Sequence, residues 1–265
     1  MEFIGYVSIF CTGVVLGLLG SGGSILAIPV FVYMFSIQIV EATSYSLILV
    51  GMTSLVGAYQ RIYNSLVDLR SAFLFGIPSI IAIIITRKWL IKSIPDILFS
   101  FHSMMITKRL IILITISTFI FVSSYLMITD NFKPIIKTGD TKIILLIFLG
   151  SLIGIVTGVA GIGGGFLIVP VLIIMARLPF KVAAGTSLFI IAMKSAAAFF
   201  VDISNFHLNW SFLVVIAGIG IAGILIGNLL SKRISGIQLK KSFGWIMLVI
   251  AMIILVKETV LSIYK

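Results

Sequence analysis

Apolar runs about as long as a bilayer is thick follow one another along almost the whole chain, and that pattern leaves few folds open. Thr141 to Val159 and Trp210 to Leu230 are two such runs, each close to the ~20 residues that cross the hydrocarbon as a helix. Ten apolar segments can be traced, at about 3–19, 24–38, 42–60, 71–90, 109–128, 141–159, 164–178, 182–201, 210–230 and 243–262. They use up nearly all of the 265 residues, so no separate water-soluble domain fits between them. Only 10% of residues are charged, against roughly 25% in soluble domains. The expectation is an all-α polytopic membrane protein. Glu2 and the lack of a basic stretch before the first run read as a retained helix, not a cleaved signal peptide.

The formal charge of +11 does not mark a nucleic-acid binder, because the cations sit in short clusters between apolar runs and share no continuous face. Arg87, Lys88 and Lys92, then Lys108 and Arg109, then Lys232, Arg233, Lys240 and Lys241 read as cytoplasmic loops under the positive-inside rule. One cysteine, Cys11, cannot form an internal disulfide, and with two histidines it makes no metal-ligand spacing. No metal and no cofactor are expected.

An internal repeat organises the segments. Gly17-Leu-Leu-Gly20-Ser-Gly22-Gly23-Ser-Ile-Leu26-Ala-Ile-Pro29-Val30 matches Gly158-Val-Ala-Gly161-Ile-Gly163-Gly164-Gly165-Phe-Leu167-Ile-Val-Pro170-Val171 at a constant offset of 141 positions. The same offset pairs Ala42 with Ala183, Ser46 with Ser187 and Ser54 with Ser195. Two tandem homologous halves are therefore expected, a first membrane repeat at 1–128, an inter-repeat loop at 129–140 and a second repeat at 141–265. Each half holds about four spanning helices and one short, Gly-broken segment that either crosses or re-enters. Charge favours re-entry, which gives four crossings per half, both termini outside, and the loops 87–109 and 231–241 together on the cytoplasmic face.

The glycine clusters are the first candidates for chemistry. Gly20, Gly22 and Gly23, and then Gly161, Gly163, Gly164 and Gly165, interrupt a helix inside the bilayer. Lipid permits that only where freed backbone lines a protein cavity. A half-helix beginning there turns unpaired N–H groups and a positive dipole end toward a ligand, and glycine allows close approach of an oxyanion. Gly150, Gly154 and Gly158 form a small-residue ladder suited to helix packing. Neither cluster is a nucleotide loop, since the Walker lysine and the Rossmann spacing are absent.

The motif Gly161-Ile-Gly163-Gly164-Gly165-Phe-Leu-Ile-Val-Pro170-Val, followed by Ala184-Gly185-Thr186-Ser187-Leu188 and duplicated more loosely as Ser44-Tyr45-Ser46-Leu47 after Pro29, resembles the TauE/SafE sulfite exporter family of membrane permeases. The resemblance covers both halves. It implies a secondary transporter, a permease or exporter, of sulfite, a sulfonate or a related small organosulfur anion, with no ATP-binding part, in a bacterial-type inner membrane.

Lys194 departs from the family pattern, which has a small polar residue there, often Asn. An ammonium near the bilayer centre costs at least about 2.5 kcal/mol by insertion scales, so such residues usually face a cavity. Ser187 and Lys194 lie seven apart, on one helix face with a rise of ~10.5 Å. Ser46 and Thr53 are their mates at the repeat offset. Gly20, Gly22, Gly23, Ser46, Thr53, Gly161, Gly163, Gly164, Gly165, Thr186, Ser187 and Lys194 are thus the expected substrate path, with a coupling proton or cation as partner. Asp202, Asn205, His207, Glu41 and Asp68 read as caps or interface anchors, and Tyr59, Tyr63, Trp89 and Trp210 as an aromatic belt. An uncoupled anion channel and a membrane assembly factor are the alternatives. An enzyme is not expected, because no paired carboxylates and no nucleophile–base set stand in a supporting motif.

Overall fold

In the computed structural model, residues 2–86, 97–101, 104–129, 140–160, 165–202 and 209–263 are described. Gly161, Gly163, Gly164, Arg87, Lys88, Trp89, Lys92, Asn205 and His207 lie outside them, as does most of the inter-repeat loop.

The first half contains α1 (Glu2–Leu19), α2 (Ser24–Met34), α3 (Ile39–Tyr63), α4 (Leu69–Ile85) and α5 (Lys108–Thr129). The second contains α6 (Asp140–Ala160), α7 (Gly165–Ile174), α8 (Phe180–Asp202), α9 (Trp210–Arg233) and α10 (Gly236–Ile263). Between α4 and α5, β1 (Ile97–Phe101) and β2 (Met104–Thr107) pair antiparallel, with Phe101 opposite Met104. This ribbon is the one departure from helix among the described elements. Each half thus has four long helices and one short one. The short helices α2 and α7 have 11 and 10 residues and each carries a proline, Pro29 or Pro170. Proline there removes one main-chain N–H and so one helix bond.

Four of the described helices are long and apolar enough to cross a membrane, over Glu41–Tyr63, Phe180–Phe199, Trp210–Arg233 and Gly236–Ile253. The spans of α3 and α8 are 61% and 67% buried against 28% for that of α10, which makes α3 and α8 the centre and α10 the rim. Large apolar side chains such as Leu55, Ile144 and Val214 are exposed where a soluble protein would carry charge. They face lipid. The result is a multi-pass membrane protein.

Small residues set the helix pairs by letting backbones touch. Gly13 lies on Gly220 and Gly17 on Gly227, with no room for a Cβ at either, so α1 and α9 run parallel. In the same way Gly154 lies on Ser79 and Gly158 on Thr86, so α6 runs parallel to α4. The two sets of pairs are related by the 141-residue offset, Gly13 to Gly154 and Ser79 to Gly220, then Gly17 to Gly158 and Thr86 to Gly227. Gly51 meets Ser195 and Gly57 meets Leu188, so α3 and α8 cross antiparallel. Arg61 reaches Asn228 while Thr53 touches Gly220, which puts α3 parallel to α9. The Asp68 N–H donates to Thr186 Oγ1 at 2.9 Å and the Phe73 and Phe189 rings meet edge to face at 5.9 Å, which puts α4 parallel to α8.

These directions correct one expectation. Helices five places apart in chain order run in opposite senses: α1, α3 and α9 one way, α4, α6 and α8 the other. The short helix is the reason. Gly23 packs on Leu16 and the Phe35 ring on Gly5, so α2 runs back along α1 and counts as a traverse of its own. Each half then makes an odd number of traverses. The end of α4 lies at the face opposite the α9–α10 turn, and α5 descends from that face, with Ser124 and Met127 near its far end packed on Gly244 early in α10. The end of α4 and the start of α5 therefore do not share a side with the α9–α10 turn, contrary to what loop charge had suggested.

Candidate functional site

The centre is assembled where the two short helices begin. Gly20 has φ of +83°, and a Cβ there would lie 2.5 Å from the Ala184 Cα, so both its conformation and its space demand glycine. The chain then turns, Ser24 Oγ donates to Ser21 O at 2.8 Å, and α2 starts. From the other half, α7 starts at Gly165. A Cβ on Gly165 would stand 3.0 Å from Ser24 Oγ and 2.6 Å from Ile191 Cδ1, so the amino ends of α2 and α7 meet beside α8. Both carry the positive end of a helix dipole.

Lys194 is one turn beyond Ile191. It is 3% exposed, and its Nζ has no hydrogen-bond partner among the described residues. The hydroxyls of Ser21, Ser44 and Ser54 are buried and unpartnered as well. Buried polar atoms are rarely left so in a finished core. Ser79 on α4 and Ser117 on α5 are unpartnered too, so it is the buried Lys194 amine, one turn from the Ile191 that meets Gly165, that marks the place prepared for something polar.

The expected path residues divide on these contacts. Gly20, Gly23 and Gly165 lie at or against the meeting point, and Lys194 flanks it. A Cβ on Gly22 would stand 3.3 Å from the Phe243 ring, so Gly22 serves close packing. Ser46 is buried, and Ser187 is buried with its hydroxyl donating to Ala184 O at 2.8 Å, next to Gly20. Thr53 and Thr186 have structural work instead. Thr53 Oγ1 donates to Leu49 O at 2.7 Å while its methyl packs on Gly220, and Thr186 Oγ1 accepts from Asp68 N and ties down the α3–α4 turn. No cluster of His, Cys, Asp and Glu fit to hold a metal occurs among the described residues.

Arg61 is the residue that the sequence reading passed over. It is 3% exposed, Nε donates to Asn228 Oδ1 at 3.1 Å, and Nη2 donates to Gly17 O at 2.7 Å and Ser231 Oγ at 2.8 Å. Gly17, Arg61 and Ser231 all stand near the carboxyl ends of their helices, α1, α3 and α9. Three converging negative dipole ends take the place of a carboxylate. A signal did exist: Ser54, Ala58 and Arg61 fall at i, i+4 and i+7, one helix face, and all three are buried.

Comparison with known proteins fits this geometry. The sequence profile described as "Sulfite exporter TauE/SafE" matches residues 6–254. A "probable membrane transporter protein" of Xylella fastidiosa is 28% identical over 250 residues, 92% of this chain and 90% of that one. A Bacillus subtilis protein with the same description is 24% identical over 259 residues, 91% of each chain. One from Methanocaldococcus jannaschii is 34% identical over 110 residues, 38% of this chain and 40% of its own length. No solved structure matches the chain. A profile that runs nearly end to end over a multi-pass helical protein, with membrane-transporter relatives aligned along almost all of it, makes this chain a member of the sulfite exporter TauE/SafE family of membrane transporters.

Proposed function

We propose that the protein is a secondary permease for a small oxyanion, sulfite or a sulfonate, in a bacterial-type inner membrane, and that the anion binds where the amino ends of α2 and α7 meet. The observation that carries this reading is the approach of Gly165 to Ser24 beside a helix turn that holds an unpartnered, buried ammonium. Helix amino ends offer positive partial charge, and Lys194 adds a positive charge when it is protonated. An oxyanion supplies what the site lacks. It would give the Lys194 amine the acceptor it has nowhere among the described residues.

The antiparallel halves support a transport cycle. Two structurally matched, oppositely directed halves around a central site can exchange conformations, which opens the site first to one face and then to the other. The recurrence of Gly13–Gly220 as Gly154–Ser79 supports reading the halves as two copies of one unit. A proton carried by Lys194 is the simplest coupling partner, because its amine is buried one helix turn from Ile191, which meets Gly165.

Purified protein reconstituted into sulfite-loaded vesicles tests the reading. Saturable sulfite efflux, weakened over tenfold in Lys194→Met, is the expected result. Efflux in Lys194→Met equal to wild type at several pH values would remove Lys194 from the site. Linear, non-saturating, voltage-following flux would replace the permease with a channel.

A further inference from the structure

A second polar site, separate from the central one, lies at the face where α9 turns into α10. A cleft of about 260 Å³ opens there between the carboxyl-terminal turns of α3 and α9. Arg61 and Lys232 line it, and no carboxylate does. The three bonds of Arg61 use Nε and Nη2, so Nη1 is the guanidinium nitrogen with no protein partner among the described residues. Lys232 is exposed at the mouth. Two cationic groups around an open cleft, one of them with donors to spare, make an oxyanion site.

The rim says how that oxyanion arrives. Tyr59 and Tyr63 are 72% and 85% exposed and Leu229 is 59% exposed, yet all three line the cleft. Tyr59 continues the outward stripe of α3 through Met52 and Leu55, and Leu229 continues that of α9 from Ile226, all exposed and apolar. These stripes face acyl chains, and tyrosines at their ends sit at head-group depth. A ligand that fills the cleft therefore meets water on one side and hydrocarbon on the other. Basic pockets between helices at this level suit anionic lipid head groups.

We propose that the Arg61–Lys232 cleft binds the phosphate of an anionic phospholipid, whose chains lie along the exposed faces of α3 and α9. Arg61 is already balanced in part by three helix carboxyl ends, so Lys232 carries most of the electrostatic attraction and Nη1 supplies a directed donor. The assignment stands apart from the transport reading and does not depend on what is transported.

The test uses lipid-stripped protein in nonionic detergent, titrated with dioleoyl phosphatidylglycerol, dioleoyl phosphatidylcholine or inorganic phosphate, with bound lipid read by native mass spectrometry. One phosphatidylglycerol should be retained preferentially over phosphatidylcholine. Lys232→Gln should weaken that retention roughly fivefold, the usual effect of one cation near a membrane surface. Lys241→Gln, an exposed cation on α10 outside the cleft, should leave it unchanged. Only preparations whose lipid-free melting temperature matches wild type are compared. Equal retention of the two lipids, or equal loss in both variants, would overturn the site. Displacement of phosphatidylglycerol by millimolar inorganic phosphate would overturn the lipid as its occupant and leave a soluble oxyanion in its place.

Discussion

Arg61 and Lys194 are the two buried cationic side chains among the described residues, and they are buried in different ways. Arg61 spends its donors on an amide, a main-chain carbonyl and a hydroxyl drawn from α1 and α9. Lys194 has no partner among the described residues. Burial costs a cation its hydration, and that cost is offset at Arg61 within the protein itself. At Lys194 it is not. A charge answered mostly within the protein holds helices together and keeps only Nη1 to offer outward, whereas one with no partner among the described residues is poised for a ligand.

The sharpest way to break this comparison is to remove each cation in turn. Arg61→Ala should unfold or strongly destabilise the protein, by about 3–5 kcal/mol, because three buried partners lose a charged donor together. Its melting temperature in detergent, or failure to obtain monodisperse protein, reads this directly. Lys194→Met should instead leave the melting temperature equal or higher, since a shape-matched apolar side chain replaces an unpaired ammonium. Its sulfite binding should weaken by about 1.5–3 kcal/mol, more than tenfold in affinity by titration calorimetry. If Lys194→Met melts as low as Arg61→Ala, both cations are structural and the contrast fails.

Next in size is a test of the matched halves. Gly13→Leu and Gly154→Leu occupy corresponding helix contacts and should lower stability by similar amounts, each through a side chain driven into a facing backbone. A large loss in one and none in the other would show that the correspondence ends at the sequence. Gly20→Ala should cost about 1–3 kcal/mol from its positive φ and its contact with Ala184, while Gly22→Ala should be nearly silent because its neighbour is a ring that can shift. Thermal unfolding distinguishes the two.

The smallest perturbation, and the sharpest for topology, is cysteine labelling on a Cys11→Ser background. Single cysteines at Met104 and Ser235 should be reached from opposite sides of the membrane by an impermeant maleimide. Labelling from one side would restore the four-crossing arrangement. Lys194→Asn completes the set, with partial transport retained because an amide still donates a hydrogen bond but brings no net charge.

Much of this protein was legible in its residues alone. Runs of ~20 apolar residues allow little besides spanning helix, so the described long helices, the short proline-bearing α2 and α7 and the breaks at Gly20 and Gly165 follow from local composition and periodicity. The membrane setting and the unusual Lys194 follow for the same reason, since each is a property of a segment by itself. Helix direction is different. It depends on whether α2 returns along α1 or turns back at the far side, and only the packing of Gly23 on Leu16 and Phe35 on Gly5 settles that. Loop charge could not, because Lys and Arg occur in loops at both faces.

The roles of hydroxyls and cations were likewise decided in three dimensions. Thr53, Thr186 and Ser187 look alike along the chain, yet Thr53 and Ser187 turn their hydroxyls back onto their own helices while Thr186 accepts from Asp68 N across the α3–α4 turn, because only there does another segment present a free donor. Arg61 sits at the end of an apolar run, where a snorkelling side chain would be expected. The convergence of three helix carboxyl ends turns it inward instead. Sequence determines which segments enter the bilayer, because that rests on the transfer energy of each segment alone. The tertiary structure decides which buried charges are answered within the protein and which are left for a ligand, because that rests on groups more than a hundred residues apart.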